Sequence, residues 1–366
     1  MILHKDGVFV MKEQISKAIE NINVVSFTPL ISPREMKELY PLTDSLSEHV
    51  AHSREVIQNI LNGKDLRFLI IVGPCSIHSE EVALEYAQRL RELQEQVNDV
   101  LFMIMRTYFE KPRTTLGWKG LIYDPDLDNT HNIAKGLRLA RKILINIAEI
   151  GLPTGTELLD PIVPQYISNL VSWASIGART TESQTHREMA SGFSMPIGFK
   201  NSTDGNLQIA IDAMVSAQGS HHFLGIDDDG HTCIIETAGN SMSHIILRGG
   251  RGRPNYDPVS IVESIERMQK AGLPPRIVVD CSHANCGKRY TLQVHVLRDV
   301  IQQRIEGNPF LLGAMLESSL KPGNQPFPPP GEVPEYGVSI TDPCLGWEET
   351  EAIILESARR LRTQTK

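Results

Sequence analysis

Residues 101–120 read LFMIMRTYFEKPRTTLGWKG. The first five, Leu101–Met105, form an unbroken apolar run of the length and type expected for a buried strand. At Arg106 the character changes. Arg106, Lys111, Arg113 and Lys119 arrive within one loop, with Pro112, Thr114 and Thr115 among them and Glu110 as its one acid. Cationic side chains at the end of a buried strand suit an anionic ligand, because Arg offers a bidentate fork and Lys a compact charge. The alternative is a solvated basic loop, and the neighbouring segments decide between the two.

The same strand-then-polar pattern extends outward. FLIIV (68–72) leads to GPCSIH (73–78) and a helix with Val82, Tyr86, Leu90, Leu93 and Val97 on one face. Beyond the basic loop a second helix carries Ile133, Leu137, Ala140, Leu144 and Ile147 in register. Further strands are expected at TGTE (154–157), SIGAR (175–179), PIGFK (196–200), HIILR (244–248), RIVVD (276–280) and LLGAMLE (311–317). Helical stretches such as 258–271 separate most of them, and such alternation predicts a parallel sheet. Eight strands predict closure. Cys75, Arg106, Glu157, Arg179, Lys200, Arg248, His283 and Glu317 fall at or just past the strand ends, where a (β/α)₈ barrel holds its active site. The expected fold class is therefore α/β: a (β/α)₈ TIM barrel over residues 67–366.

Residues 1–66 read as an N-terminal arm or cap, with a short strand at Val24–Phe27, a proline-punctuated stretch from Pro29 to Pro41, and a helix from about Ser45 to Gly63. Between the fifth and sixth strands, 221–240 reads as an inserted β-hairpin with Asp229-Gly230 at its turn. The segment KPGNQPFPPPGEVPEYG (321–337) is too long for an ordinary connection and reads as an active-site loop. A closing helix, WEETEAIILESARRLR, has acids first and arginines last, matching the helix dipole.

Composition narrows the function. A formal net charge of −8 argues against a general nucleic-acid or membrane binder, so anion specificity must come from a local cationic site. Five scattered cysteines do not form a disulfide framework and fit a reducing compartment. The first residues lack an apolar core of signal-peptide length, and the expected location is cytoplasmic.

Cys75, His283, Glu317 and Asp342 bring a thiolate, an imidazole and two carboxylates to one barrel face. That mixed donor set suits a divalent ion such as Mn²⁺, Fe²⁺, Co²⁺ or Zn²⁺. Arg106, Lys111, Arg113, Arg179, Lys200 and Arg248 would repel one another unless anions sit among them. Phosphates and a carboxylate are the simplest occupants, with Glu157 as a charge-balancing member.

The motifs GPCSIH (73–78), MRTYFEKPRTTLGWKGLIYDP (105–125), GARTTES (177–183), GFKNSTDG (198–205), HIILRGG (244–250), DCSHANCGK (280–288) and SITDPCLGWEET (339–350) closely resemble type I 3-deoxy-D-arabino-heptulosonate 7-phosphate synthase. The resemblance covers nearly the whole chain. It implies condensation of phosphoenolpyruvate with erythrose 4-phosphate at the entrance to the shikimate pathway. It makes Cys75, His283, Glu317 and Asp342 the metal ligands. Phosphoenolpyruvate would meet Arg106, Lys111, Glu157, Ala178, Arg179, Lys200 and Arg248. Erythrose 4-phosphate would meet Lys111, Pro112, Arg113 and Thr114, with Asp342 also at the substrates. Lys111 is the expected proton donor, with His283 or a water as the alternative, and Cys75 completes the catalytic set. An aromatic amino acid, tyrosine ahead of phenylalanine because of Gly225, would bind near Pro164, Gln165, Ser194, Phe223 and Gly225. The arm and hairpin imply a homodimer or homotetramer, and Cys75 and Cys344 are expected to join under oxidation. Two rivals remain: 3-deoxy-octulosonate 8-phosphate synthase, and a catalytically silent barrel acting as an amino-acid-responsive partner subunit.

Overall fold

The computed structural model describes residues 19–363, of which 19–31 and 32–363 fall in two separate compact units. Eight parallel strands close the barrel: β1 (Phe68–Gly73), β2 (Leu101–Arg106), β3 (Thr154–Glu157), β4 (Trp173–Ile176), β5 (Ile197–Lys200), β8 (Ser243–Leu247), β9 (Ile277–Asp280) and β10 (Leu311–Glu317). The remaining two, β6 (His222–Ile226) and β7 (Thr232–Glu236), pair antiparallel as the inserted hairpin. From Pro33 onward the α-helices of the described residues are, in chain order, α1 (Pro33–Leu39), α2 (Asp44–Leu61), α3 (Glu80–Val97), α4 (Ile133–Ile150), α5 (Val163–Ile167), α6 (Gln184–Ser191), α7 (Gln208–Gln218), α8 (Pro258–Lys270), α9 (Gln293–Ile305) and α10 (Trp347–Arg362).

Local chemistry explains where these elements start. Ser79 caps α3, its hydroxyl accepting from the Val82 amide at 3.3 Å, and Glu80 and Glu81 follow in the first turn. Asp257 caps α8 ahead of Pro258, a residue pre-set for the first helical position. On α2, Val56, Ile57, Ile60 and Leu61 pack into one buried cluster with Leu69, Ile71, Ile104, Trp173, Ile246 and Met315 of the strands. That helix plugs the barrel at the end opposite the polar loops, so the loops are carried on a closed, packed scaffold.

Three expectations change. Residues 24–27 form no strand: Val25 is fully exposed, and among the described residues their backbone enters no β ladder. The fourth strand lies at Trp173–Ile176, which leaves Gly177, Ala178 and Arg179 in the loop beyond it. The proline-rich stretch is tied back on itself, with Lys321 N donating to Gly337 O at 2.9 Å and Gln325 N to Ser339 O at 2.8 Å. Only Asp342 and Pro343, beyond that stretch, line the central cavity.

Candidate active site

The C-terminal ends of the strands surround a cavity of about 510 Å³. Eight Lys and Arg residues and three acids line it, so a protein of net charge −8 concentrates positive charge at one mouth. Arg106 ends β2 at the floor, almost fully buried, with Nη2 3.3 Å from Glu317 Oε1 and its guanidinium 3.9 Å from the centre of the Tyr108 ring. Burial opposes its charge, but Tyr108 and Glu317 outweigh that and raise its pKa. Lys200 ends β5 with Nζ 3.1 Å from Asp280 Oδ2 and 3.8 Å from Glu157 Oε2. The Glu157 carboxylate fits because position 177 is glycine: a Cβ there would stand 2.4 Å from Glu157 Oε1. Arg179 and Arg248 line the same cavity, and the Arg248 amide is held by Asn201 Oδ1 at 2.8 Å. Pro112, Arg113 and Ala178 reach it too, whereas Thr114 is exposed and does not line it.

Beside these cations lies a donor cluster. Ligand atoms of Cys75, Glu317 and Asp342 lie within 4.8 Å of one another. The Lys111 ammonium stands against them, 3.0 Å from Cys75 Sγ and 3.9 Å from Asp342 Oδ2. A cation therefore already stands against this thiol and these carboxylates, and the donor set fits a divalent metal ion. Burial, then Glu317, pushes the Cys75 thiol up to about 12, a value that a metal ion would bring down on binding. Lys111 stays protonated: burial lowers its pKa, but Cys75, Glu317 and Asp342 raise it further.

His283, the fourth expected ligand, lines the cavity but is not gathered with the other three. Its backbone is in the left-handed region, at φ 57°. Its Nδ1 faces Ser282 Oγ at 2.7 Å and Asp280 Oδ2 at 3.1 Å. A proton on Nδ1 leaves Nε2 bare, the tautomer a metal-ligating imidazole needs.

Sequence reasoning missed Asp280. It ends β9, is fully buried, and puts one oxygen against both Lys200 and His283. Burial would raise its pKa, but Lys200 and His283 hold it well below the carboxylate range. A polar residue closing the run RIVVD was the available signal. Tyr108, Arg251 and Lys288 also line the cavity without having been singled out.

The expected effector residues are spread over three elements. Pro164 and Gln165 lie on α5, Ser194 follows α6, and Phe223 and Gly225 lie on β6. At Gly225 a Cβ would stand 2.3 Å from Ile235 Cδ1, so the recess it leaves is bounded by the hairpin's own opposite strand. Arg34 and Lys37 of α1 pair with Asp229 at 2.6 Å and Asp228 at 2.5 Å at the hairpin tip. Cys75 and Cys344 are both fully buried free thiols, and burial, then Cys75, raises the Cys344 pKa.

The sequence profile described as the DAHP synthetase I family matches residues 41–355. The Tyr-sensitive phospho-2-dehydro-3-deoxyheptonate aldolase of Salmonella typhimurium is 47% identical over 347 residues, covering 95% of this chain and 97% of its own. The Phe-sensitive aldolase of Escherichia coli is 48% identical over 345 residues, covering 94% and 98%. Among solved structures, phospho-2-dehydro-3-deoxyheptonate aldolase from Francisella tularensis superposes with a TM-score of 0.90 at 44% identity, covering 93% of this chain and 99% of that one.

Proposed function

The chain belongs to the DAHP synthetase I family, and from that premise we infer which of its residues carry the family's reaction. The reaction condenses phosphoenolpyruvate with erythrose 4-phosphate and water to 3-deoxy-D-arabino-heptulosonate 7-phosphate and phosphate. It is the first step of aromatic biosynthesis and is feedback-regulated by an aromatic amino acid. The observation that carries the assignment of residues is the Lys111 ammonium set against the Cys75, Glu317 and Asp342 donors in a cavity lined by cations.

Arg106, Lys111, Arg179, Lys200 and Arg248, with Glu157 and Ala178 beside them, hold the phosphate and carboxylate of phosphoenolpyruvate. Pro112 and Arg113 receive erythrose 4-phosphate, with Arg113 on its phosphate from the cavity wall and Thr114 meeting that phosphate only from the exposed tip outside the wall. C3 of phosphoenolpyruvate attacks the aldehyde carbon, leaving positive character at C2. Water adds there, and phosphate departs. Lys111, kept charged by its neighbours, supplies the proton to the developing alkoxide. Cys75, Glu317 and Asp342, with His283 from the same cavity wall, would hold the divalent ion. When bound, it supplies Lewis acidity toward the aldehyde oxygen. Its identity among Mn²⁺, Fe²⁺, Co²⁺ and Zn²⁺ is read by metal analysis of protein purified without added metal. Cys75→Ser should lower that metal content, and full retention would remove Cys75 from the set.

Tyrosine is the effector favoured by Gly225, near Pro164, Gln165, Ser194 and Phe223. The similar identities to Tyr- and Phe-sensitive relatives do not choose between them. Inhibition by phenylalanine alone would overturn tyrosine. Oxidation of Cys75 and Cys344, with loss of two protons and two electrons to dioxygen, would close a disulfide and release the metal. Two alkylatable thiols at these positions after air exposure of metal-free protein would exclude it. A homodimer or homotetramer is supported by Leu224 and Ile234, paired across the hairpin and both largely exposed. Among the described residues no helix is long and apolar enough to cross a membrane, and cytoplasmic location remains the reading.

A further inference from the structure

The loop bearing Lys111 and Arg113 has a base and a tip of different character. At the base, Lys111 N donates to Lys119 O at 2.8 Å and Ile122 N to Phe109 O at 3.4 Å, closing the loop on itself. At the tip, residues 113–117 are exposed and Leu116 fully so. Such closure keeps a loop's shape but does not set its direction on the barrel.

Glu110 reaches across to the neighbouring loop, the one that follows β3. Its Oε1 accepts from the Asp160 amide at 3.1 Å and its Oε2 from the Leu159 amide at 3.3 Å. The Tyr123 hydroxyl lies 3.3 Å from Glu110 Oε1 and 3.2 Å from Asp160 Oδ2, one phenol proton between two carboxyl groups. Asp160 in turn accepts from the Ile162 amide at 2.7 Å at the start of α5. Glu110 is 2% exposed and does not line the cavity, so its carboxyl group serves neither solvent nor substrate directly. A buried carboxyl is unfavourable unless its hydrogen bonds are met, and here they are met by a different loop. Burial, then Asp160, raises its pKa to about 8.

We propose that Glu110 is a positioning residue for the four-carbon substrate, clamping the base of the 106–120 loop to the loop after β3 and so setting where Arg113 stands. This rests on the reading that Arg113 meets erythrose 4-phosphate. The phosphoenolpyruvate side is held by separate contacts: Arg106 on Glu317, Lys111 on Cys75, Lys200 on Asp280 and the Arg248 amide on Asn201. Release of the clamp therefore separates the two substrates.

The test is steady-state kinetics of the full-length, metal-replete enzyme as Glu110→Ala, Glu110→Gln, Tyr123→Phe and Arg113→Ala. Glu110→Ala should lower kcat/KM for erythrose 4-phosphate by about 10- to 100-fold. The KM for phosphoenolpyruvate should stay within about twofold. Glu110→Gln keeps one acceptor oxygen and should fall between, as should Tyr123→Phe, and these two carry the test if the alanine variant does not fold. Equal losses for both substrates, or no loss for either, overturn the clamp. An Arg113→Ala enzyme with normal kinetics toward erythrose 4-phosphate would instead overturn the underlying reading, and the proposal with it. A defect in Arg113→Ala without one in the Glu110 variants would sink the clamp alone.

Discussion

At the scale of single residues, the site depends on buried charges that cancel locally. Asp280 shows this most directly, because one oxygen neutralises Lys200 and orients His283. Asp280→Asn should cost about 3–5 kcal/mol of stability, since Lys200 loses its nearest counter-charge. It should also weaken metal binding about 10- to 100-fold, as loss of the partner of a ligating histidine does. Equilibrium dialysis and chemical unfolding read the two effects separately, and unchanged metal affinity would show that His283 needs no such partner. Lys111→Ala should lower kcat far more than metal content, and near-normal turnover would remove Lys111 from proton transfer.

Glu110 adds a pH dependence. A glutamate ordinarily releases its proton near 4.5, whereas the folded protein holds this one to about 8. Between those values the folded state binds one proton more than the unfolded state. This group's contribution to stability is therefore fully present below about 4.5, falls as pH rises, and is lost by about 8. The whole change is on the order of 4–5 kcal/mol. Glu110→Gln cannot titrate, so urea unfolding at both ends of that window should show a smaller decline than in the parent. Equal declines would mean that Glu110 does not titrate there.

At the scale of elements, helix α2 belongs to the barrel. Ile57 and Ile60 are fully buried against strand residues, so Ile57→Ala should destabilise by about 2–5 kcal/mol while leaving KM for both substrates unchanged. A large KM change would mean that the plug shapes the site from the far end. The strands, the main helices and the hairpin were legible because their periodicity is local: Val82 to Val97 repeats at helical spacing, and the apolar runs stop at polar residues. Helix α1 was obscured by prolines on either side, although its Ser32–Glu35 capping box was visible in SPREMKEL. The fourth strand was displaced because its apolar start, at Trp173, precedes the conspicuous SIGAR motif. The proline-rich stretch does not line the cavity but packs Phe327 against Trp118 of the basic loop, 6.4 Å between ring centres, a contact that length and composition could not show. Asp280 escaped notice for a related reason, as its partners come from β5 and from the loop after its own strand.

At the scale of the whole molecule, an acidic protein carries a cationic mouth for two phosphorylated anions. Every expected metal and phosphate position except Thr114 lies at that mouth or directly beneath it. This was legible because a barrel gathers distant strand ends, whatever their separation in sequence. Long-range attraction of the substrates should weaken with salt, so kcat/KM should fall between about 0.01 and 0.15 M ionic strength, where the screening length shortens from about 30 to about 8 Å. No salt dependence would mean that local contacts, not the field, govern capture. The proposed homodimer or homotetramer places Leu224 at a subunit contact, so Leu224→Asp should lower the mass read by light scattering; a monomeric parent would contradict the assembly, and an unchanged mass the contact. The most direct test of the function is phosphate release from phosphoenolpyruvate by the metal-replete enzyme, offered either erythrose 4-phosphate or arabinose 5-phosphate. Release with the four-carbon sugar alone is the predicted result. Release with the five-carbon sugar, or with neither sugar in protein shown to hold its metal, would contradict it.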